Sequence, residues 1–207
     1  MSILEEIKEA VMTYDAAKVT ECSERAVAEG IGVEDIINDG LIAGMNVVGV
    51  KFKANEIYVP EVLVAARAMR AGMAVIKPLI AKADIKEKGI VIIGTVKGDL
   101  HDIGKNLVII MLEGSGYKVI DLGIDVDSEK FVQAVIDYKP QIVGLSALLT
   151  TTMVQMKACI DLLKPYNVKV MIGGAPVTQK YADDIGADAY AADAASAVDK
   201  ANQFMAS

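Results

Sequence analysis

Apolar positions along this chain follow one period up to about residue 83 and another from about residue 90. In the first stretch they recur every three or four residues, the spacing of a helix laid against a core. Ile3, Leu4, Ile7 and Val11 mark a first helix. Asp15 can cap a second, running to Glu29 and ended by Gly30. A third is predicted from about Val33 to Val50, with Ile36, Ile37, Leu41, Met45 and Val48 on one face. KFKANEIYVPE reads as a connection. Pro60 fits the first turn of a fourth helix reaching Ile80, and Pro78 is expected to shorten or kink its end. Four amphipathic helices on short links predict an antiparallel all-α four-helix bundle.

The second stretch alternates short apolar runs with helical segments. IVIIGTV (90–96), KVIDLG (118–123), QIVGLSA (141–147), VKVMIGG (168–174) and DAYAAD (188–193) read as strands. Helices are predicted between them over about 103–113, 128–138, 151–164 and 178–185, with a last one after the fifth strand. Strict alternation implies a parallel sheet covered by helices on both faces. Five such units predict an α/β flavodoxin-like, or Rossmann-like, five-stranded parallel sheet domain with order 2-1-3-4-5. The charged run DIKEKG (84–89) is taken as a link. The expected domains are therefore 1–87, a helical cap, and 88–207, the sheet domain.

Composition narrows the function. Of 207 residues, 53% are hydrophobic but only 5% aromatic, with no Trp, so aliphatic side chains must build the core. The net charge of -7 opposes binding to phosphate backbones, and nucleic acid is not an expected partner. No apolar stretch approaches the roughly 20 residues that span a bilayer. The acidic N-terminus lacks the character of a signal peptide. No membrane association and a cytoplasmic location are expected. Cys22 and Cys159 fall in different predicted helices and read as buried, reduced thiols.

The predicted topology also places a site. In an open parallel sheet, ligands bind beyond the carboxyl ends of the strands where the strand order reverses, here between strands 1 and 3. KGDLHDIGKN follows strand 1, Ser146-Ala147-Leu148 closes strand 3 and Gly173-Gly174 closes strand 4. His101 is the only histidine, with Asp99 two residues before it and Gly98 and Gly104 bracketing the loop. A carboxylate that accepts the imidazole N–H fixes the tautomer and makes the other nitrogen a better metal donor. Asp99 could equally cap the following helix, a task open to Asp102 as well. One His and one Asp cannot hold a bare zinc ion, which needs about three or four protein ligands. The pair makes sense if a macrocycle supplies most of the coordination. A phosphate cradle is the competing idea, but neither G-x-G-x-x-G nor the P-loop spacing is present. Gly144 and the two terminal glycines would let a ligand pass close to the backbone.

GDLHDIG resembles the Asp-x-His-x-x-Gly motif of base-off/His-on cobalamin-binding domains, with Asp99, His101 and Gly104 in the matching positions. Ser146-Ala147-Leu148 is similar to their Ser-x-Leu motif, and Gly173-Gly174 to their Gly-Gly motif. The helical half, with MNVVGVKFKANEIYVPEVLVAARAM (45–69), resembles the cap of the small corrinoid proteins of methyltransferase systems and of methionine synthase fragments. The resemblance implies cobalamin, as methylcobalamin or another corrinoid, with His101 as the lower cobalt ligand. Asp99 and Ser146 would complete a hydrogen-bonded triad with it. The implied cofactor-binding set is Gly98, Asp99, Leu100, His101, Asp102, Ile103 and Gly104, with Ser146, Leu148, Gly173 and Gly174 lining a slot for the nucleotide tail. Thr150 and Thr151 would add polar contacts. Met45, Val48 and Phe52 are candidates to cover the upper face, or else ordinary bundle core. The implied function is a non-catalytic methyl carrier between a substrate:corrinoid methyltransferase and a second methyltransferase, with a reductive activation protein as further partner. Rival readings are the cobalamin subunit of an adenosylcobalamin mutase, a cobalamin-sensing regulator and a plain flavodoxin-like domain.

Overall fold

The computed structural model describes residues 1–83 and 87–206, and the side chains of these except 80–83. Positions 84–86 of the expected link lie outside the described residues. The chain forms two compact units, Met1–Glu87 with Gly114–Gly116, and Lys88–Glu113 with Tyr117–Ser207.

The first unit is helical: α1 (Ile3–Met12), α2 (Ala16–Ala28), α3 (Val33–Asp35), α4 (Ala43–Lys53) and α5 (Val59–Ala83). Ser2 and Glu5 form a capping box at α1, and Asp15 accepts from Lys18 N to cap α2. The expected third helix is not uniform. Ile36–Ile42, between α3 and α4, is π-helical. The wider turn brings Ile36, Ile37, Gly40, Leu41 and Ile42 all inward, more apolar positions than an α-helical face would bury over the same length. Glycines permit the close packing: a Cβ at Gly40 would lie 3.0 Å from Ile7 Cγ2, and one at Gly72 2.7 Å from Leu41 Cδ2. α5 continues through Pro78 instead of ending there. Ala74 and Pro78 are both exposed, so the carbonyl that loses its partner lies on the solvent side. Met45 and Val48 are buried. Among the described residues of this unit, the exposed large apolar side chains are instead Met1, Val50, Tyr58, Val59, Leu63 and Val64.

The second unit alternates β1 (Ile90–Thr95), α6 (Ile103–Gly114), β2 (Lys118–Asp121), α7 (Ser128–Tyr138), β3 (Ile142–Ser146), α8 (Thr150–Leu163), β4 (Lys169–Gly173), α9 (Gln179–Ile185), β5 (Ala189–Ala191) and α10 (Ala194–Met205). The five strands are parallel in the order β2-β1-β3-β4-β5. Ile92, Val143, Leu145, Val170 and Ile172 pack with Phe131, Met156, Ile160 and Leu163 from α7 and α8. Gly94 is required here, since a Cβ would lie 2.7 Å from Phe131 Cζ. The register aligns Thr95 with Ser146 and Ser146 with Gly173. The ends of β1, β3 and β4 therefore share one edge, as the strand order required.

Candidate functional site

Asp99 is the centre of the edge. It has no exposed surface and its carboxylate accepts from donors on two sides. Oδ1 lies 2.7 Å from His101 Nδ1 and accepts from His101 N at 3.1 Å. Oδ2 accepts from Thr152 Oγ1 at 2.6 Å, Leu148 N at 2.8 Å and Leu149 N at 3.3 Å. Burial by itself would raise the Asp99 carboxyl, but the bonds from Thr152, Leu148 and His101 outweigh it and hold the group well below the usual carboxylate range. An ionised carboxylate only accepts, so His101 Nδ1 donates to it, and in the neutral ring Nε2 is the nitrogen with the lone pair. The His101 side chain is half exposed, and its carbonyl accepts from the buried Thr95 hydroxyl at 2.9 Å.

The expected triad is corrected in one member. The hydroxyl on Asp99 belongs to Thr152, whereas Ser146 is not among its partners. Ser146 is half-buried at the end of β3, and its carbonyl accepts from Val96 N at 3.0 Å. A strand side chain stands roughly perpendicular to its sheet, while the first turn of α8 brings the Thr152 hydroxyl to Asp99. Nor does Asp99 cap the helix that follows it in sequence: its Oδ2 takes the Leu148 and Leu149 amides, in the segment that leads into α8. Asp102, just before α6, accepts from Asn106 Nδ2 at 3.1 Å.

Thr150 and Thr151 are exposed at the start of α8, and Leu148 and Leu149 are exposed beside them. Leu100 is 67% and Ile103 81% exposed, in the same loop as the buried carboxylate. Gly104, one residue on, has open space where a Cβ would stand. The other glycines behave differently. Gly144 makes room for Ile93, whose Cγ1 would lie 3.1 Å from a Cβ, so it does not open the sheet to a ligand as expected. A Cβ on Gly173 would lie 2.9 Å from the Ala191 carbonyl oxygen, and one on Gly174, at φ +127, would collide with the Ala147 carbonyl.

Sequence reasoning missed Thr152. The signal existed: Thr152, Met156, Cys159, Ile160 and Leu163 form the buried stripe of α8, and Thr152 is its first residue. It also missed Lys105, whose buried amine donates to Asp121 Oδ1 at 2.7 Å and Asn106 Oδ1 at 3.0 Å.

A corrinoid fits these residues. Among the described residues, no group of three or more His, Cys, Asp or Glu is placed to hold a metal ion. What the site offers is a single imidazole nitrogen in a loop that also carries the exposed Leu100 and Ile103 and the open Gly104. A metal whose other positions are filled by a broad apolar ring matches that donor set.

Fold and site together define a B12-binding protein. A B12 binding domain model matches residues 89–199, and a second model of the same description matches residues 3–77. The chain belongs to the corrinoid protein family. It is 44% identical over 212 residues to a corrinoid protein of Desulfitobacterium hafniense, covering 99% of this chain and 98% of the relative. It is 45% identical over 209 residues to trimethylamine corrinoid protein 1 of Methanosarcina acetivorans, covering 98% and 97%. Among solved structures, the methanol:cobalamin methyltransferase complex of Methanosarcina barkeri contains a chain with TM-score 0.90 and 33% identity. That match covers 99% of this chain and 80% of the other. No helix among the described residues is long and apolar enough to cross a membrane.

Proposed function

We propose that this chain is a methyl carrier that holds cobalamin, or another corrinoid, base-off/His-on and presents it in turn to two methyltransferases in the cytoplasm. The observation that carries this is the state of His101. It is the only imidazole in the chain, fixed through Nδ1 by a buried anion, with Nε2 unengaged among the described residues. Such a ring would be held ready to bind cobalt through Nε2. When bound, the corrin supplies a cobalt centre that accepts and releases a methyl group and changes its demand for a lower ligand as it does so.

The protein's part is to hold, orient and manage a proton. Asp99 holds the proton at Nδ1 and so keeps the imidazole tautomer that leaves Nε2 free. Thr152 and the Leu148 and Leu149 amides hold Asp99 from the other side, so its charge is not lost to rotation. Leu100, Ile103 and Gly104, with Gly98 and Asp102 in the same loop, would lie against the ring. Ser146, Leu148, Gly173 and Gly174 would line the slot for the tail, with Thr150 and Thr151 at its mouth. The close approach of Gly173 to the Ala191 carbonyl and of Gly174 to the Ala147 carbonyl supports reading them as part of a closely packed slot wall.

The relatives support the carrier role. The family match covers both units, and full-length relatives are named as corrinoid proteins of methylamine systems. The related barkeri structure is a complex with a methyltransferase. The partners of this chain are then a substrate:corrinoid methyltransferase, a second methyltransferase using tetrahydrofolate or a thiol, and a reductive activation protein. The domain boundary falls at residues 87 and 88.

The test is the visible spectrum of the cobalamin-loaded protein with and without His101→Ala. The substitution is expected to remove the imidazole-ligated spectrum while the fold, followed by circular dichroism, persists. Identical spectra would show that His101 is not the ligand.

A further inference from the structure

The β1 loop is also held along its backbone, by a segment outside the three motifs. After β2 the chain turns through Gly123 at φ 86 and Asp125 at φ 52. The left-handed region disfavours residues with a Cβ, and aspartate tolerates it better than most. Asp125 uses this turn to make two reciprocal bonds. Its Oδ1 accepts from Gly98 N at 2.8 Å, and its own N–H donates to the Asp99 carbonyl at 3.0 Å. Gly98, at φ 80, is itself left-handed, so the bonded pair joins two turns that each depart from ordinary backbone. Lys97 Nζ lies 3.5 Å from the same Oδ1 and 3.3 Å from Asp127 Oδ1. The turn is anchored in its own right: Asp121 Oδ1 accepts from the buried Lys105 and from Gly123 N at 2.9 Å, and the Gly123 carbonyl accepts from Thr95 N at 3.0 Å.

We propose that Asp125 is a positioning residue for the histidine site, holding the Gly98–Asp99 backbone so that the Asp99 carboxylate reaches His101 Nδ1 and the start of α8 at once. Asp125 makes no bond to the imidazole and acts through Asp99 alone. The Gly98 amide, opposed by burial and aided by Lys97, lowers the Asp125 carboxyl from its ordinary value, which keeps it an acceptor. The role needs an acceptor at Oδ1 and tolerance of the left-handed turn. Asparagine meets both, alanine meets neither, and glycine relaxes the turn but lacks the acceptor. The effect on the cofactor rests on the reading of His101 as lower ligand, whereas the effect on the imidazole does not.

The full chain, free of cofactor and labelled with ¹⁵N, gives one set of imidazole signals because His101 is the only histidine. The unaltered protein is expected to show the Nδ1–H tautomer. Asp125→Ala and Asp125→Gly are expected to show mixed tautomers, and Asp125→Asn to keep the original one. Titration with hydroxocobalamin, read as the absorbance difference against His101→Ala, is expected to show affinity for the imidazole-ligated form reduced about tenfold in the alanine and glycine variants. The asparagine variant should match the parent. Unchanged tautomers in the alanine and glycine variants overturn the inference, as does an asparagine variant that behaves like them. A lower melting temperature without an imidazole change also overturns it. If the tautomers shift as expected but the parent and His101→Ala spectra coincide, the positioning role stands and the ligand assignment falls.

Discussion

Asp99 meets its donors with geometry a neutral group could not use. A hydrogen bond to a buried charge contributes about 1.5–3 kcal/mol, more than a neutral one. Thr152→Ala should therefore cost the protein about 2 kcal/mol in denaturant unfolding. Thr152→Ser keeps the hydroxyl and should cost much less. The sign of the pH effect follows from the lowered Asp99 carboxyl. In the unfolded chain this group titrates near about 3.9, and in the folded chain it titrates lower. Its contribution is thus complete above the unfolded value and is lost as pH falls from there toward the folded value. Asp99→Asn should flatten that part of the acid limb. Unfolding midpoints measured from about pH 6 downward will show it, and equal slopes for both proteins would contradict the assignment.

At the scale of elements, two glycines of the same edge should separate stability from binding. Gly174 adopts φ +127 against the Ala147 carbonyl. Gly174→Ala forces a shift of β3 or β4 and should lower stability by about 1–3 kcal/mol. Gly104 lies inside α6 with open space around it. Gly104→Val should leave thermal unfolding of the cofactor-free protein nearly unchanged while weakening cobalamin binding, measured by absorbance titration. This contrast also marks what the sequence made legible. The strands followed from β-branched runs and turn residues, because parallel strands advertise themselves as continuous apolar stretches, and their order followed from the fold that five alternating units predict. The loops of the site were legible because topology brings strand ends together. The π-helical turn at Ile36–Ile42 was not, since its apolar residues suit an α-helix equally until packing on α1 selects the wider turn. Thr152 and Asp125 were missed for a related reason. Each acts across a long separation in sequence, and neither belongs to a local pattern that would announce its partner.

At the scale of the molecule, the two units bury one thiol each, Cys22 and Cys159. Burial pushes the Cys159 thiol up to about 12, and burial likewise raises Cys22. Thiolate, the reactive form, is then scarce at neutral pH. A thiol reagent should react with neither cysteine in the native chain at about pH 7 and with both after unfolding, and fast native labelling would refute this. The bond between Asp99 and the Leu148 amide spans 49 residues of chain, and that to Thr152 spans 53. A nascent polypeptide leaving the ribosome displays the histidine loop well before the donors that hold the aspartate from its far side have been made. On the proposed reading of His101, cofactor loading would wait for completion of the inner sheet. A chain cut before Thr152 would retain the Asp-x-His-x-x-Gly signature and lose the hydroxyl that holds its aspartate.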